Sequence, residues 1–354
     1  MSEGTILHLL GWDKKFVPSF IDFIHKSFSD ERHKFIVYGD VDTDVILALP
    51  NIVSYRSLLK NGLALSKEME RADKIILHGM FSSHLLYILS LQSWLLKKCH
   101  WVIWGGDLYI HTAENKDWRW HKDEFFRRFV IKRIGHLVTY IPGDVDLARQ
   151  WYGAKGQYHE CLMYPSNLYK EYDVPQKEHT TVNIQVGNSA DPTNNHLEVF
   201  EKLLPHKEQD IKIYVPLSYG DQNYTAKVIE TGKQMFGDKF IPLTAFMPFE
   251  KYLEFLGQID IAVFNHKRQQ GMGNTITLLG LGKKVYMRND VTPWTMFSSK
   301  GIKLFDVQHI DITPIHDESA QKNITIIKTL FTENILIEQL KTIFRTEVNN
   351  AILE

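Results

Sequence analysis

The chain alternates between short apolar runs and longer segments of helical periodicity. In the first half the apolar runs are Thr5–Leu10, Phe35–Tyr38, Ile52–Tyr55, Lys74–His78, His100–Trp104 and His136–Tyr140. Between several of them, apolar residues recur every three to four positions, as over Leu63–Arg71, Ser83–Leu96 and Asp144–Tyr152. Short apolar runs are typical of buried strands, and strands that alternate with helices form parallel sheets. The first half therefore predicts a doubly wound α/β domain.

The same alternation restarts after a polar interruption at residues 165–180, which contains Pro165 and Pro175 and is typical of a linker. Further strands are predicted at Val182–Val186, Ile211–Val215, Phe240–Leu243, Ile259–Phe264 and Lys284–Met287. The helices between them are predicted at His196–Leu204, Ala226–Met235, Phe249–Leu256 and Thr275–Leu281. We expect two Rossmann-like domains, at 1–164 and 181–325, followed by a helical segment at 326–354.

The most informative stretch, residues 265–275, follows the predicted strand Ile259–Phe264. A strand that ends in a glycine-bearing turn and opens a helix leaves backbone N–H groups unpaired at the positive end of the helix dipole. Such an end suits a phosphate or a pyrophosphate. Lys267 and Arg268 add positive charge, and arginine can grip phosphate through two hydrogen bonds. The predicted anion site comprises Arg268, Gln270, Gly271, Gly273, Asn274 and Thr275.

Three further loops of the second half follow predicted strands, and ligands of doubly wound sheets bind outside the carboxyl ends of the strands. These loops combine small hydrogen-bond donors with aromatic rings, which suits the phosphates and the base of a nucleotide. Gly, Asn and Pro also form ordinary turns, so one such loop alone would carry little weight. The predicted nucleotide-binding residues in these loops are Gly187, Asn188, Ser189, Ser218, Tyr219, Phe246 and Met247.

In the first half, Asp13 and Asp107 directly follow predicted strands, in glycine-bearing turns. A carboxylate that faces a cleft there can take the proton of an attacking hydroxyl and act as general base. The alternative is that each aspartate caps the next helix. Trp12, His78 and Tyr109 lie in the same set of loops, and we predict that they contact the acceptor. For His78 the alternative is a hydrogen bond to neighbouring backbone.

Residues Trp118–Arg133 combine basic and aromatic side chains. A helix of this composition is typical of a segment that lies on an anionic membrane surface. The predicted contacts are Arg127, Arg128, Lys132 and Arg133. The alternative is a solvated polar face opposite an apolar core face.

Two aspartate-rich turns, at residues 40–44 and 144–146, are the other candidates for a ligand. The first lacks the glycine and the terminal glutamate of a calcium-binding loop. Neither turn lies beside the predicted anion site. We interpret both as turns or helix starts and predict no metal site.

Composition narrows the class of protein. A chain of 354 residues fits two domains, and a net charge of −1 provides no overall basic field for nucleic acid. Cys99 and Cys161 have neither metal nor redox spacing, which favours a reducing compartment. The N-terminus lacks the features of a signal peptide, and the apolar run Leu85–Leu96 is too short to span a bilayer. We expect a cytoplasmic protein without a cofactor or a nucleic-acid partner.

Several motifs taken together resemble glycosyltransferase family 56, the enterobacterial 4-acetamido-4,6-dideoxygalactose (Fuc4NAc) transferases. They are Trp101–Tyr109, Val186–Asp191 with Asn195 and His196, Val215–Pro216, and Arg268–Gly271 with Gly273. The resemblance extends from near the N-terminus to about Phe305. It implies a GT-B fold, in which two Rossmann-like domains face each other across a cleft. It also implies a dTDP-sugar donor and a polyprenyl-diphosphate-linked saccharide acceptor at the cytoplasmic face of the inner membrane.

The resemblance also assigns roles to the predicted loops. The Gly187–Ser189 loop and the Arg268–Gly273 turn become the donor pocket, and the loops of Asp13 and Asp107 become the opposing face. GT-B enzymes stabilise the departing nucleotide with dipoles and cations instead of a metal. If the reaction inverts at the anomeric carbon, Asp13 or Asp107 activates the acceptor hydroxyl; if it retains configuration, these aspartates orient sugar hydroxyls.

Several functions remain open from the sequence. The product could belong to common antigen or to O-antigen. A non-catalytic protein that binds a sugar nucleotide or a polysaccharide is a second class, and an epimerase or phosphorylase with the same fold is a third.

Overall fold

The computed structural model describes residues 4–28, 32–42, 51–171, 174 and 180–345. The chain folds into two compact units, one formed by Met1–Ser166 with Glu333–Glu354 and the other by Asn167–Thr332. Parts of the predicted 40–44 turn, of the predicted linker at 165–180 and of the predicted segment at 326–354 lie outside the described residues.

The first unit is built on a parallel sheet that has seven strands within the described residues. They are β1 (Ile6–Gly11), β2 (His33–Tyr38), β3 (Ile52–Tyr55), β4 (Lys74–His78), β5 (Cys99–Val102), β6 (His136–Thr139) and β7 (Gln157–Glu160). Their order is β3-β2-β1-β4-β5-β6-β7. The connections reverse direction between β1 and β4, which makes that pair the switch point at which ligands of such sheets bind.

In the first unit, capping side chains and a glycine set the ends of several helices. Among the described residues before the predicted linker the helices include α1 (Val17–Ser27), α2 (Gly62–Arg71), α3 (Ser83–Leu91), α4 (Gly106–Tyr109), α5 (Trp118–Arg133) and α6 (Pro142–Tyr152), with a 3-10 helix at Ser93–Lys98. The Ser82 hydroxyl caps α3 by accepting from Leu85 N, and the Asp117 carboxylate caps α5 by accepting from Trp120 N. Gly153, at φ 68°, ends α6 in the left-handed region.

The second unit repeats the same plan. Its strands are β8 (Val182–Val186), β9 (Ile211–Pro216), β10 (Phe240–Leu243), β11 (Ile261–Phe264), β12 (Lys284–Met287) and β13 (Phe305–Asp306). Its helices are α7 (His196–Leu203), α8 (Gln222–Phe236), α9 (Phe249–Gln258), α10 (Met272–Gly280), α11 (Thr292–Ser299) and α12 (Asp317–Leu330). The strand order is β10-β9-β8-β11-β12-β13, which places the switch point between β8 and β11.

The chain returns to the first unit through a last described helix, α13 (Glu333–Arg345). Its buried face consists of Leu336, Leu340, Ile343 and Phe344. The Lys74 ammonium, at the start of β4, donates to the carbonyls of Ile343 (3.1 Å) and Phe344. A cation thus satisfies carbonyls at the negative end of the helix.

The prediction of an α/β fold with parallel sheets is confirmed. Both sheets consist of parallel strands in the described residues, and each has its own apolar core against its helices. Strands β7 and β13 were not among the predicted elements. Residues 259 and 260, predicted as strand, precede β11.

Candidate functional site

At the switch point of the second sheet, side chains join the loop that follows β8 (residues 187–195, the β8 loop) to the loop that follows β11 (residues 265–271, the β11 loop). The buried Asn194 accepts, through Oδ1, from the backbone N–H of Asn188 (2.9 Å) and from His266 Nε2 (2.8 Å). Asn195 Nδ2 donates to the carbonyl of Asn265 (2.9 Å). Because amides and an imidazole crosslink them, the two loops form one structural unit.

Two further links bring the predicted anion-binding side chains into this unit. Thr193 Oγ1 donates to Gln270 Oε1 (2.7 Å), which orients the Gln270 amide. Arg268 lies 3.7 Å from an oxygen of the Asp191 carboxylate and donates to the Gln269 carbonyl (3.0 Å). The Arg268 guanidinium is therefore oriented by the loops at the edge of the sheet.

Glycine is required at two positions of these loops. Gly187 adopts φ +67°, and a Cβ there would lie 2.4 Å from His196 Nε2 and 2.7 Å from Asn194 Oδ1. Gly271 adopts φ +64°, and a Cβ there would lie 3.3 Å from the Asn188 side chain. Only glycine combines this backbone conformation with so close an approach of the two loops.

The β11 loop leads directly into α10, with Gly271 as the residue before its first turn. Thr275 N is the first amide of the helix to donate back along the chain, to the Gly271 carbonyl (3.0 Å). The amides of Met272, Gly273 and Asn274 precede it at the positive end of the helix, and Gly273 and Asn274 are half-buried. The predicted strand, glycine turn and helix are therefore consecutive, with the helix starting at Met272.

A tyrosine that the sequence did not single out completes this edge. The hydroxyl of Tyr252, on α9, interacts with the side-chain amides of Gln185 and Asn274, and burial raises its pKa. Asn188 Nδ2 donates to the Tyr219 hydroxyl (3.4 Å). Tyr252 lies inside a helix, and strands β9 and β10 separate it along the chain from Gln185, so no local pattern indicated it.

Two predicted donor-site hydroxyls have structural roles instead. Ser189 is 2% exposed, and its Oγ accepts from Asn194 Nδ2 (3.2 Å) and from the Asp191 N–H (3.4 Å). Thr275 is 0% exposed, and its Oγ1 donates to the Gly271 carbonyl (3.1 Å). The expectation that these two side chains contact a ligand is corrected, because both point into the loops that they stabilise.

The remaining predicted residues lie after β9 and β10, at the same edge of the sheet. Ser218 and Met247 are half-buried, whereas the Tyr219 ring is 49% exposed and the Phe246 ring 83% exposed. The loop after β9 pairs with the β8 loop through the backbone of Ala190 and Gly220. The exposed Tyr219 therefore lies beside the β8 loop, and Phe246 follows the next strand, β10.

This edge also has hydrogen-bonding capacity that the described residues do not use. The buried side-chain atoms without a partner there are Gln185 Oε1, Asn188 Oδ1, His196 Nε2, Asn265 Oδ1, Asn265 Nδ2 and Gln269 Oε1. Buried polar atoms are normally paired, and exceptions concentrate at functional sites or mark ordered water. Their concentration distinguishes the carboxyl edge of the second sheet as a polar site.

In the first unit, Asp107 is fully buried. One carboxylate oxygen accepts from Trp101 Nε1 (2.6 Å) and Met80 N (3.0 Å), and the other accepts from Trp104 N (3.0 Å) and Leu108 N (3.1 Å). Burial raises the pKa of this carboxyl group. The expectation that Asp107 faces a cleft as general base is therefore wrong: its carboxylate holds the loop together from inside.

Asp13 is half-buried in the turn between β1 and α1. Its Oδ1 accepts from the backbone N–H groups of Lys15 (2.8 Å) and Phe16 (3.1 Å), which fixes the turn. Among the described residues, Oδ2 accepts no hydrogen bond. Of the two predicted bases, Asp13 is the one whose carboxylate keeps an oxygen available.

The three residues predicted to contact the acceptor differ in their burial and in their hydrogen-bond partners. His78 is buried, and both of its ring nitrogens are engaged, by His8 (3.1 Å) and by Tyr164 (2.6 Å), so its predicted contact with an acceptor is corrected. Trp12 is half-buried at the end of β1. Tyr109 is half-buried and packs edge-on against Trp151, with ring centroids 5.4 Å apart.

Two of the predicted membrane contacts on the basic helix α5 form ion pairs with a glutamate of the same helix. Arg127 is 3% exposed and lies 3.3 Å from Glu124, which corrects its predicted place on a membrane surface. Arg128 also lies 3.3 Å from Glu124 and donates to the Trp151 carbonyl. Lys132 and Arg133 are exposed. The helices of the described ranges include none long and apolar enough to cross a bilayer.

Solved structures with this architecture include glycosyltransferases. A glycosyltransferase from Rickettsia africae ESF-5 has a TM-score of 0.68 at 15% identity, with 99% of this chain and 100% of that chain covered. Sucrose-phosphate synthase from Thermosynechococcus elongatus has a TM-score of 0.65 at 12% identity (96% and 98% covered). Anabaena HepE in complex with UDP-glucose has a TM-score of 0.63 at 11% identity (96% and 99% covered). These similarities define the fold as GT-B.

The family follows from the sequence itself. Residues 4–335 match the family described as 4-alpha-L-fucosyltransferase, glycosyl transferase group 56. The chain belongs to this family, and it is a glycosyltransferase. The resemblance inferred from the motifs is confirmed.

Proposed function

We propose that the chain transfers a dideoxy-acetamido-hexose such as Fuc4NAc from a dTDP-sugar to a polyprenyl-diphosphate-linked saccharide. The product would be a surface polysaccharide of the common-antigen or O-antigen type. The observation that carries the proposal is the crosslinked pair of β8 and β11 loops at a switch point, with the open start of α10 beside them. Family membership supports glycosyl transfer, and HepE, which has the same fold, was crystallised with UDP-glucose.

In the proposed donor complex, the diphosphate lies at the start of α10. The N–H groups of Met272, Gly273 and Asn274 and the Arg268 guanidinium supply donors and positive charge. Tyr219 and Phe246 offer exposed rings to the base. These interactions strengthen as negative charge grows on the departing dTDP, which is how preorganised donors lower the barrier.

The chemical step proposed for an inverting reaction uses Asp13. The acceptor hydroxyl oxygen forms a bond to the anomeric carbon, while the bond between that carbon and the β-phosphate oxygen breaks. The electron pair of the broken bond leaves with dTDP, and the hydroxyl proton passes to Asp13 Oδ2. Asp13 Oδ1, which the turn already holds, keeps the carboxylate in place.

A lipid-linked acceptor requires the enzyme to work at a membrane surface, and we propose the cytoplasmic face of the inner membrane. Exposed apolar side chains accompany the exposed cations of α5. Trp118 and Phe125 lie on α5, Leu91 ends α3, and Trp94 lies on the adjoining 3-10 helix. With Lys132 and Arg133, they provide the mixture of apolar and basic groups that binds anionic lipid.

The test incubates the purified chain with a panel of radiolabelled sugar nucleotides, with and without a lipid-linked saccharide. We expect label to enter the lipid fraction only when a dTDP-sugar and the acceptor are both present. Slow release of dTDP without acceptor would still fit a transferase. Conversion of the sugar nucleotide to an epimer or a sugar phosphate would instead identify an epimerase or phosphorylase, and binding without turnover would identify a non-catalytic protein.

A further inference from the structure

A buried hydrogen-bond chain runs beneath the carboxyl edge of the first sheet. Trp104 Nε1 donates to the Tyr164 hydroxyl (2.9 Å), which bonds to His78 Nδ1 (2.6 Å). His78 Nε2 bonds to His8 Nδ1 (3.1 Å), and His8 Nε2 bonds to His33 Nδ1 (2.9 Å). One continuous chain therefore links a tryptophan of the β5 loop to β4, β1 and β2.

Donor capacity fixes the direction of this chain. An indole N–H can only donate, so the Tyr164 oxygen accepts from Trp104 and the phenol proton is directed to His78 Nδ1. His78 and His8 then each donate through Nε2 to Nδ1 of the next ring, with every ring neutral. Burial lowers the pKa of His78 to about 3 and that of His8 well below its ordinary value, which agrees with neutral rings. With these tautomers, a continuous chain of buried hydrogen bonds fixes the position of the Trp104 indole.

The anchored indole is part of an open aromatic surface. Trp104 is half-buried, and its ring lies edge-to-face with Phe16 (centroids 5.1 Å apart) and with Phe81 (6.3 Å). Phe81 is 50% exposed. The three rings come from the loops after β1, β4 and β5, which meet at the switch point of the first sheet. None of the three was a predicted site residue.

This surface adjoins the candidate base. The Phe16 N–H donates to Asp13 Oδ1 (3.1 Å), so the ring and the carboxylate belong to one turn. A pyranose presents an apolar C–H face and a rim of hydroxyls. An aromatic surface beside a carboxylate matches both features, because the rings remove the apolar face from water and the carboxylate receives a hydroxyl proton.

We infer that Phe16, Phe81 and Trp104 bind a pyranose ring of the saccharide acceptor, and that Tyr164 is a positioning residue that acts through Trp104. The inference rests on the proposed function, since it names the part of the acceptor that the first unit recognises. The occupant is the sugar and not the polyprenyl chain, because the rings adjoin Asp13, to which the attacking hydroxyl must come.

The first experiment measures steady-state transfer from dTDP-Fuc4NAc to a farnesyl-diphosphate-linked disaccharide. For Trp104→Ala and Phe81→Ala we expect the acceptor KM to rise about tenfold, the equivalent of one lost stacking contact, while the donor KM stays within about twofold. Phe81 is exposed, so its variant tests the surface even if Trp104→Ala folds poorly. An unchanged acceptor KM in Phe81→Ala and Trp104→Ala would overturn the inference.

A competition experiment distinguishes a surface that binds the sugar from one that binds the lipid. Farnesyl diphosphate without sugar should inhibit the wild type and the Phe81→Ala variant equally. If Phe81→Ala weakens this inhibition as much as it weakens acceptor binding, the surface binds lipid and the inference fails. Failure of the proposed function can be told apart from failure of this inference, because the wild type would then form no product at all.

A double-mutant cycle tests the role of Tyr164. Trp104→Phe keeps a ring but removes the indole N–H, and Tyr164→Phe removes the hydroxyl that receives it. Each single variant should raise the acceptor KM about threefold, and the double variant should equal either single one, because coupled residues are non-additive. Additive effects would contradict the positioning role. Tyr158→Phe is the matched control, because the buried Tyr158 hydroxyl has no partner among the described residues.

Discussion

Asp13 and Asp107 follow strands in similar glycine-bearing turns, yet their carboxylates have opposite surroundings. Four N–H donors surround Asp107, while Asp13 uses one oxygen for its turn. The donors to Asp107 include Trp101 on β5 and Met80 in the loop after β4. From residue type and position in the chain, both aspartates were equally good candidates for the general base. Only their tertiary contacts distinguish them.

Changing each aspartate to asparagine should therefore have a different effect: a loss of activity at Asp13 and a loss of stability at Asp107. Asp13→Asn keeps the oxygen that holds the turn, so stability should be unchanged while kcat falls by about 10²–10⁴-fold. Asp107→Asn places an amide N–H₂ against N–H donors and should lower the free energy of unfolding by about 1–3 kcal/mol per unsatisfied donor. Denaturant unfolding and transfer kinetics check both variants. Full kcat in Asp13→Asn would exclude it as the base.

Gly187 offers a second test at a single residue, with an internal control. Gly187 and Gly153 have φ values of +67° and +68°, but a Cβ at Gly153 would meet nothing within 4 Å. Gly153→Ala should therefore show only the backbone penalty, about 1 kcal/mol. Gly187→Ala should add about 1–3 kcal/mol of overpacking and should also weaken dTDP binding, because the β8 loop must shift. Equal effects in urea unfolding would contradict the required close approach.

At the scale of elements, the sequence predicted most strands and helices because their apolar periodicity is strong. It missed β7, whose residues Gln-Tyr-His-Glu look polar because the strand lies at the edge of the sheet, and the two-residue β13. The strand, glycine turn and helix of the proposed anion site were predictable because they are consecutive in the chain. The partners of His78 and Tyr252 were not, because they are set by packing between distant segments.

The helix α5 shows the same limit, since its periodicity did not reveal that Arg127 is buried or that Arg128, although exposed, pairs with the same glutamate. Arg127 and Arg128 bind Glu124, which also accepts from His111 (2.9 Å) and Tyr152 (3.3 Å). The exposed cations Lys132 and Arg133 remain for the proposed membrane contact.

Binding to vesicles should therefore depend on these two residues. Reversing both charges, Lys132→Glu with Arg133→Glu, should weaken binding to phosphatidylserine-containing vesicles by at least about tenfold, since each basic group near such a surface contributes about 1 kcal/mol. Arg149→Glu, an exposed cation on α6, is the control and should bind as the wild type does. If the double variant co-sediments with the vesicles as the wild type does, the proposed membrane contact of these two residues is wrong.

At the scale of the whole molecule, one face of the first sheet concentrates histidine. Strand registers place His8, His33, His78, His100, His136 and His159 on the face opposite Leu7, Leu77 and Trp101. Burial, followed by neighbouring histidines, lowers the pKa of His100 and of His136, the latter to about 4. Burial also lowers the pKa of His8, His78 and His159.

This face should make the first unit sensitive to acid. The folded pKa values lie below the unfolded value of about 6.5, so at lower pH the unfolded state binds more protons and stability falls. The fall should begin near pH 6.5, continue toward pH 4 and approach about 1.4 kcal/mol per pH unit for each histidine. Urea unfolding at several pH values measures the slope. His159→Gln should reduce it, whereas the exposed His84→Gln should not; identical slopes in both would contradict the account.

The central claim is that the crosslinked β8 and β11 loops bind the diphosphate of a nucleotide sugar. Calorimetric titration with dTDP tests it without requiring the acceptor. We predict that Arg268→Ala weakens binding by about 10–100-fold, the range of a charge-assisted hydrogen bond to phosphate, while exposed Lys227→Ala and Asp13→Asn bind as the wild type does. Wild-type affinity for dTDP in Arg268→Ala would contradict the donor site.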